Sequence, residues 1–429
     1  MRVLFTVFAS SSHFTLLVPL AWALRSAGHE VRVASQPDLT GAINDAGLTA
    51  VPVGGDLDLA DSIRDAKRPD GSWPEETYRF GETDPAKLTW DYVHATFGIY
   101  SGFVGEWFSN DEVIADLADF ARFWKPDLVI WDALTFAGPL TARLCGAAHA
   151  RMVFGVDYLA QMRSVFHRLA ATQPEHLRTD PLAHWLGYKL RQHARPGEPT
   201  RFDEELLLGQ ASIDPMPPWI QLDTGIDYRT MHYVPYGGRS GFPSAALEPP
   251  RRPRVLLTLG LANRALGLPA LPLAELLDGV AGLDVEVIAT LDQGQIDSVA
   301  AIPDNVRPVP FVALDVVLPS CSAIVHHLGT GSTLAAIGCG VPQLCVRDTM
   351  LFWGEDVVAA RLADRGAALV VDEREITAQL VHDSLHRIVT EPAFRASALR
   401  LQAEMRTFPS PVRLVPELEA LAAAHSVTS

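Results

Sequence analysis

Two short apolar runs, each opened by an arginine and lying half a chain apart, constrain this fold most. They are Arg2-Val3-Leu4-Phe5-Thr6-Val7-Phe8 and Arg254-Val255-Leu256-Leu257-Thr258-Leu259-Gly260. Runs so short and so rich in β-formers suit parallel strands buried on both faces. After the first run a polar turn, Ala9 to His13, leads into Leu16, Leu17, Leu20, Ala23 and Leu24 at helical spacing. Gly28 is placed to end that helix, and Glu30 to Ala34 begins another strand. Strand, loop, helix, Gly, strand is the opening of a doubly wound α/β domain. The second run restarts the pattern, with further strands expected at Asp284 to Ala289 and Ala323 to His327. At 429 residues the chain is comfortable for two domains. The sequence therefore predicts two Rossmann-like doubly wound domains facing across a cleft, over 1–240 and 241–405. Pro249-Pro250-Arg251-Arg252-Pro253 is stiff enough for a linker. Leu414, Leu418 and Leu421 follow Pro409 and Pro411 at helical spacing. They predict a C-terminal helix over 406–429 that packs back on the N-terminal domain.

Residues of about 61–125 read as a helical insertion in the N-terminal half. Lys67-Arg68-Pro69-Asp70-Gly71-Ser72 is turn chemistry. Around it stand Trp73, Tyr78, Phe80, Trp90, Tyr92, Phe97, Tyr100, Phe103, Trp107 and Phe108. Such aromatics either line an apolar substrate pocket, meet a partner, or form a satellite core.

Four places could carry chemistry. The segment His326-His327-Leu328-Gly329-Thr330-Gly331-Ser332-Thr333 follows an expected strand and opens an apolar helical run. His327, Gly329, Gly331, Ser332 and Thr333 there suit a diphosphate site. Glycines let backbone N–H groups approach an anion, the helix N-terminus adds its dipole, and hydroxyls and imidazole donate. A tight strand-to-helix turn with a Ser cap is the bland alternative. His13 follows the first strand at its carboxyl end, where open α/β sheets place ligands, and is a natural general base or a polar loop histidine. Asp132 ends the expected strand Asp127 to Trp131 and could orient His13 or cap a helix. Glu355 and Asp356 could accept from sugar hydroxyls or simply favour a helix dipole, and Asp348 is a further candidate in that loop.

Composition removes other classes. Lys and Arg number 35 against 51 Asp and Glu, a net charge of −16 that repels nucleic-acid phosphate. Cys145, Cys321, Cys339 and Cys345 form no CxxC pair, so a metal site is not expected and reduced, intracellular thiols are. No apolar run approaches the roughly 20 residues of a membrane span. The N-terminus only loosely imitates a signal peptide, because Ser10-Ser11-Ser12-His13 breaks the run. A cytoplasmic protein is expected.

Longer strings add a resemblance. Pro19-Leu20-Ala21-x-Ala23-Leu24-x-x-Ala27-Gly28-His29-Glu30-Val31, His327-x-Gly329-x-Gly331-Ser332 and Gly340-Val341-Pro342-Gln343 resemble GT-B glycosyltransferases of antibiotic biosynthesis. Thr49 to Gly54, Trp124 to Trp131, Ile213-Asp214-Pro215 and Leu222-Asp223-Thr224-Gly225 are similar to the actinobacterial deoxysugar transferases of macrolides and anthracyclines. The resemblance covers nearly the whole chain. It implies inverting, metal-independent transfer from a dTDP-deoxysugar, as co-substrate and without a cofactor, to a hydroxyl of an apolar polyketide aglycone. It puts His13 at the base, fifteen residues before Gly28, and Asp132 at the acid that orients it. His327, Gly329, Gly331, Ser332 and Thr333 fall in the pyrophosphate loop. An auxiliary activator resembling a cytochrome is implied as a partner, with 61–125 as its candidate contact surface, and a homodimer is compatible.

Two departures stand out. Leu328 replaces a usual Gly, predicting a tighter or displaced loop. Trp353-Gly354-Glu355-Asp356 replaces a usual Asp-Gln or Trp-Asp, so sugar identity does not carry over. A sugar-nucleotide epimerase, a noncatalytic nucleotide binder and a periplasmic-type binding protein are the competing classes.

Overall fold

Short buried strands alternate with amphipathic helices in the computed structural model, which describes residues 1–61, 81–238, 249–260, 271–347 and 354–428. The chain divides into two units. The first holds the described residues of Met1–Leu59, Tyr78–Met231 and Pro409–Ser429, and the second chiefly those of His232–Phe408.

In the first unit the strands are β1 (Arg2–Thr6), β2 (Glu30–Ser35), β3 (Thr49–Pro52), β4 (Leu128–Asp132), β5 (Ala148–Met152), β6 (Ala211–Asp214) and β7 (Tyr228–Thr230). They form a parallel sheet in the order β3-β2-β1-β4-β5-β6-β7. Its longer helices are α1 (Ser11–Ser26), α2 (Trp90–Ile99), α3 (Asp111–Trp124), α4 (Ala137–Cys145), α5 (Tyr158–Ala170) and α6 (Pro181–His193). Every residue of β4 and β5 is buried, as expected where helices cover both faces of a parallel sheet. Helix α3 presents one apolar stripe inward through Val113, Ile114, Leu117, Ala121 and Trp124.

The second unit repeats the plan with β8 (Arg254–Thr258), β9 (Glu286–Thr290), β10 (Val306–Val309), β11 (Ala323–His326), β12 (Gln343–Arg347) and β13 (Ala368–Asp372). These too are parallel, in the order β10-β9-β8-β11-β12-β13. Helices α7 (Leu273–Val280), α8 (Thr330–Cys339), α9 (Glu355–Asp364), α10 (Ala378–Thr390) and α11 (Pro392–Met405) accompany them. Val255, Leu257, Val287, Val325, Leu344 and Val346 pack one face of the sheet, while Leu256, Ile288 and Ile324 pack the other. Helix α12 (Pro411–Thr428) belongs to the first unit. It lies against α1 and β5, buries Leu414, Val415 and Leu418, and takes a hydrogen bond from Gln210 Nε2 on His425 Nδ1 (3.1 Å).

The strand orders decide where ligands can go. From β1 the chain builds one side of the sheet through β2 and β3, then returns to lay β4 on the other side, Phe5 pairing with both Val33 and Ile130. In the second unit Leu257 of β8 likewise pairs with both Ala289 and Val325. At such reversals the following helices diverge, opening a crevice beyond the strand carboxyl ends. His13 and Asp132 sit at the first reversal, and His327 at the second.

His13 is not in the loop after β1 but in the first turn of α1, which begins when Phe14 N–H bonds the Ser10 carbonyl (3.0 Å). Residues 10–12 serve as helix entry rather than as free loop. Lys67 to Ser72, Trp73, Tyr78, Phe80, Asp348 and Trp353 lie outside the described residues. Among those described, no helix is long and apolar enough to cross a membrane.

Candidate active site

Parallel pairing of β1 with β4 puts their carboxyl ends side by side and makes the first constellation. His13 Nδ1 and Asp132 Oδ2 are 2.7 Å apart, with both side chains buried. With Nδ1 engaged, Nε2 is the imidazole atom left for a substrate proton. Asp132 is no helix cap, because α4 starts later, at Ala137. Its other oxygen, Oδ1, accepts from Leu134 N–H (3.0 Å) and Thr135 Oγ1 (3.4 Å). Thr135 Oγ1 in turn accepts from Phe8 N–H (2.9 Å), tying the β1 loop to the β4 loop. The carboxylate is thus held in place from its far side.

Aromatic rings wall the imidazole. Phe8 meets it edge-on at 4.6 Å between centroids and Phe154 lies 4.1 Å away. Phe108 stacks on Phe8 at 4.0 Å, so the aromatic insertion reaches the site. The insertion is divided in role. Phe97, Tyr100 and Phe108 are buried, whereas Phe103 is 50% exposed on a π-helical turn, Tyr100–Gly105. Phe154 is carried by a braced loop. Arg151 and Asp157 form a buried ion pair, Tyr228 OH donates to Asp157 Oδ2 (2.8 Å), and Gln221 bonds Asp157 N–H (3.0 Å) and the Gly155 carbonyl (2.9 Å). Nothing in the local sequence around Phe154, Thr135 or Asp157 marks these roles, since each depends on strands distant in the chain.

The second constellation is the turn from β11 into α8. Gly329 is the N-cap residue, no side chain caps the helix, and the first bond back is Thr333 N–H to the Gly329 carbonyl (3.0 Å). The N–H groups of Thr330, Gly331 and Ser332 therefore open the helix without an intrahelical acceptor. The His327 ring lies between two glycines. A Cβ on Gly260 would stand 2.1 Å from its Cε1, and one on Gly329 3.0 Å from its Nε2. Among the described residues, the buried His327 Nδ1 and Thr333 Oγ1 have no hydrogen-bond partner. Burial lowers the His327 pKa to about 4, so near neutral pH the ring is an uncharged donor.

Leu328 has φ 66°, the left-handed geometry that glycine favours. That conformation costs about 1–2 kcal/mol for a side chain. Its side chain is only 3% exposed, and burying a leucine contributes about 1.5–3 kcal/mol, which offsets the strain. Leucine here thus adopts the left-handed conformation that glycine takes more readily. His326 and Gln343 stand behind the turn. A polar residue heading a buried strand was the available signal for Gln343.

Glu355 and Asp356 occupy the first turn of α9, where their charge favours the helix dipole. Asp356 Oδ1 accepts from Val357 N–H (2.8 Å). Among the described residues no group of three or more His, Cys, Asp or Glu is disposed to hold a metal ion.

Two family models match successive parts of the chain. Residues 22–260 match the family described as erythromycin biosynthesis protein CIII-like, N-terminal domain, and 274–421 match its C-terminal domain. The chain is 43% identical to a 10-deoxymethynolide desosaminyltransferase of Streptomyces venezuelae, over 99% of this chain and 98% of that one. It is 42% identical to an aclacinomycin-T 2-deoxy-L-fucose transferase of Streptomyces galilaeus, over 99% and 97%. Among solved structures, the glycosyltransferase VinC in complex with dTDP superposes with a TM-score of 0.88 at 44% identity, covering 99% of this chain and all of that one (100%).

Proposed function

The chain belongs to the erythromycin biosynthesis protein CIII-like family, has the GT-B fold and is a glycosyltransferase of antibiotic biosynthesis, and from that premise we propose its reaction. It transfers a deoxysugar from a dTDP-sugar to a hydroxyl of a macrolide- or anthracycline-type polyketide aglycone, with inversion and without a metal. The named acceptors of the relatives and the dTDP complex of VinC support the two substrates. The observation that carries the chemistry is the 2.7 Å contact of His13 Nδ1 with Asp132.

In this reaction His13 Nε2 removes the proton of the acceptor hydroxyl as its oxygen bonds the anomeric carbon. Asp132 holds the tautomer and stabilises the imidazolium that forms. The bond from the anomeric carbon to the diphosphate oxygen breaks on the opposite face, so configuration inverts and dTDP leaves. A positioned base contributes about 10²- to 10⁴-fold. Charge accumulating on the diphosphate is met by the α8 N-terminus with Gly329, Gly331, Ser332 and Thr333, and by a His327 N–H. Fixed donors of this kind are worth about 10²- to 10³-fold each and supply the stabilisation that a metal would otherwise give. Phe8, Phe154 and Phe108 suit an apolar aglycone beside the base. Glu355 and Asp356 are the candidate acceptors for donor-sugar hydroxyls.

An auxiliary activator docking on the described part of 61–125, where Phe103 is exposed, belongs to the same proposal. Copurification tests it, and full activity alone with no complex would sink it. The main test is turnover. A dTDP-deoxysugar panel, with and without pooled polyketide aglycones, should release dTDP only with aglycone and yield a sugar-mass adduct. Release of dTDP without aglycone would favour transfer to water, a hydrolase, and an isomerised dTDP-sugar with no release would favour the epimerase class instead.

A further inference from the structure

We propose that His326 and Gln343 are positioning residues that lock the donor loop, by holding the Leu328 N–H and so keeping Leu328 left-handed. This rests on 327–333 being the diphosphate loop. Neither residue is placed to touch a donor. His326 is fully buried at the end of β11 and Gln343 is buried at the head of β12, the neighbouring strand.

The hydrogen bonds determine the tautomer. Leu328 N–H approaches His326 Nδ1 at 3.1 Å. A backbone N–H can only donate, so Nδ1 carries no proton. A neutral ring then keeps its proton on Nε2, which lies 2.8 Å from Gln343 Oε1. Burial holds the ring neutral, with its pKa lowered to about 3. Gln343 therefore selects the tautomer, the tautomer supplies an acceptor, and the acceptor draws in the Leu328 N–H two residues on.

The consequence for the loop is geometric. Closing the chain from 326 to 328 brings Leu328 to φ 66° and buries its side chain. His327, caught between, lies against Gly260 and Gly329. Because the Leu328 N–H is spent inward, the donors left for an anion begin after it, in the first turn of α8.

Calorimetry with dTDP, together with steady-state kinetics, tests this on the full chain. His326→Phe removes the acceptor and should weaken dTDP about tenfold. His326→Asn, whose Oδ1 can accept from the N–H two residues on, should stay within about threefold of wild type. Adding Leu328→Gly to His326→Phe should restore binding to within about threefold, because glycine takes the left-handed conformation unaided. Donor KM should follow these changes while acceptor KM stays. Gln343→Met should weaken dTDP while the imidazole ¹⁵N spectrum loses its Nε2–H tautomer, and serves if His326→Phe fails to fold. Unchanged dTDP binding in His326→Phe, or in Gln343→Met with a shifted tautomer, overturns the proposal, as does failure of Leu328→Gly to rescue. If wild type itself does not bind dTDP, the diphosphate-loop reading falls, and the proposal with it.

Discussion

His13 and Asp132 are separated by 119 residues in the chain, yet Nδ1 of one lies 2.7 Å from Oδ2 of the other. Parallel pairing of β1 with β4 brings them together, and Thr135 and Leu134 hold the carboxylate from behind. His13→Ala should lower kcat by about 10²- to 10⁴-fold with little change in donor binding. Asp132→Asn keeps an oxygen for Leu134 N–H but favours the wrong tautomer, so a loss of about 10²-fold or more is expected without unfolding. Wild-type turnover by His13→Ala would remove the base assignment.

Gly260 is a second sensitive position. It has φ +77°, and a Cβ there would stand 2.1 Å from His327 Cε1. Gly260→Ala should push the ring aside and weaken dTDP about tenfold or more, at a stability cost of about 1–3 kcal/mol. Calorimetry and a melting curve separate the two effects. Undiminished dTDP affinity would show that His327 need not sit where it does.

The buried Arg151–Asp157 pair predicts a stability effect rather than a chemical one. Arg151→Met leaves Asp157 buried with its charge uncompensated and should cost about 3–5 kcal/mol. Tyr228→Phe removes one hydrogen bond to Asp157 and should cost about 1 kcal/mol. Urea titration of both variants is the check, and a smaller loss for Arg151→Met than for Tyr228→Phe would refute the ranking.

Stability should rise and then fall with pH. Burial lowers His149 and His326 to about 3 and His327 to about 4, from 6.5. Folded pKa values below the unfolded ones mean that this stabilisation is complete above 6.5 and is lost as pH falls towards 3. Asp214 acts in the opposite sense. Burial raises its carboxyl from 3.8 to about 8, so its contribution is complete below 3.8 and is lost as pH rises through 8. The melting temperature should climb from about pH 4 to about 6.5. Asp214→Asn should flatten the decline above that. A wild-type curve falling over the acid range would contradict the assignment.

Metal independence has a direct test. Dialysis against a chelator should leave kcat/KM unchanged, because the α8 N-terminus and its side chains are assigned the charge stabilisation. Activity lost on chelation and restored by a divalent cation would overturn that part of the proposed mechanism.

Much of this protein is legible in its one-dimensional pattern. The restart at Arg254, the short apolar strands and the glycines after helices already specify two doubly wound units, because burial on both faces of a parallel sheet leaves that pattern in sequence. The positions of His13, Asp132 and His327 after strands follow from the same pattern. Their partners do not. That Asp132 orients a histidine rather than caps a helix depends on which strands are neighbours, and strand order is set by packing between distant segments. That Leu328 can stand in a glycine position depends on burial of its side chain and on a hydrogen bond to His326, itself governed by Gln343 on the next strand. Local periodicity records which face of an element is apolar. It carries no record of which polar groups from other elements will meet there, and only the tertiary structure decided that.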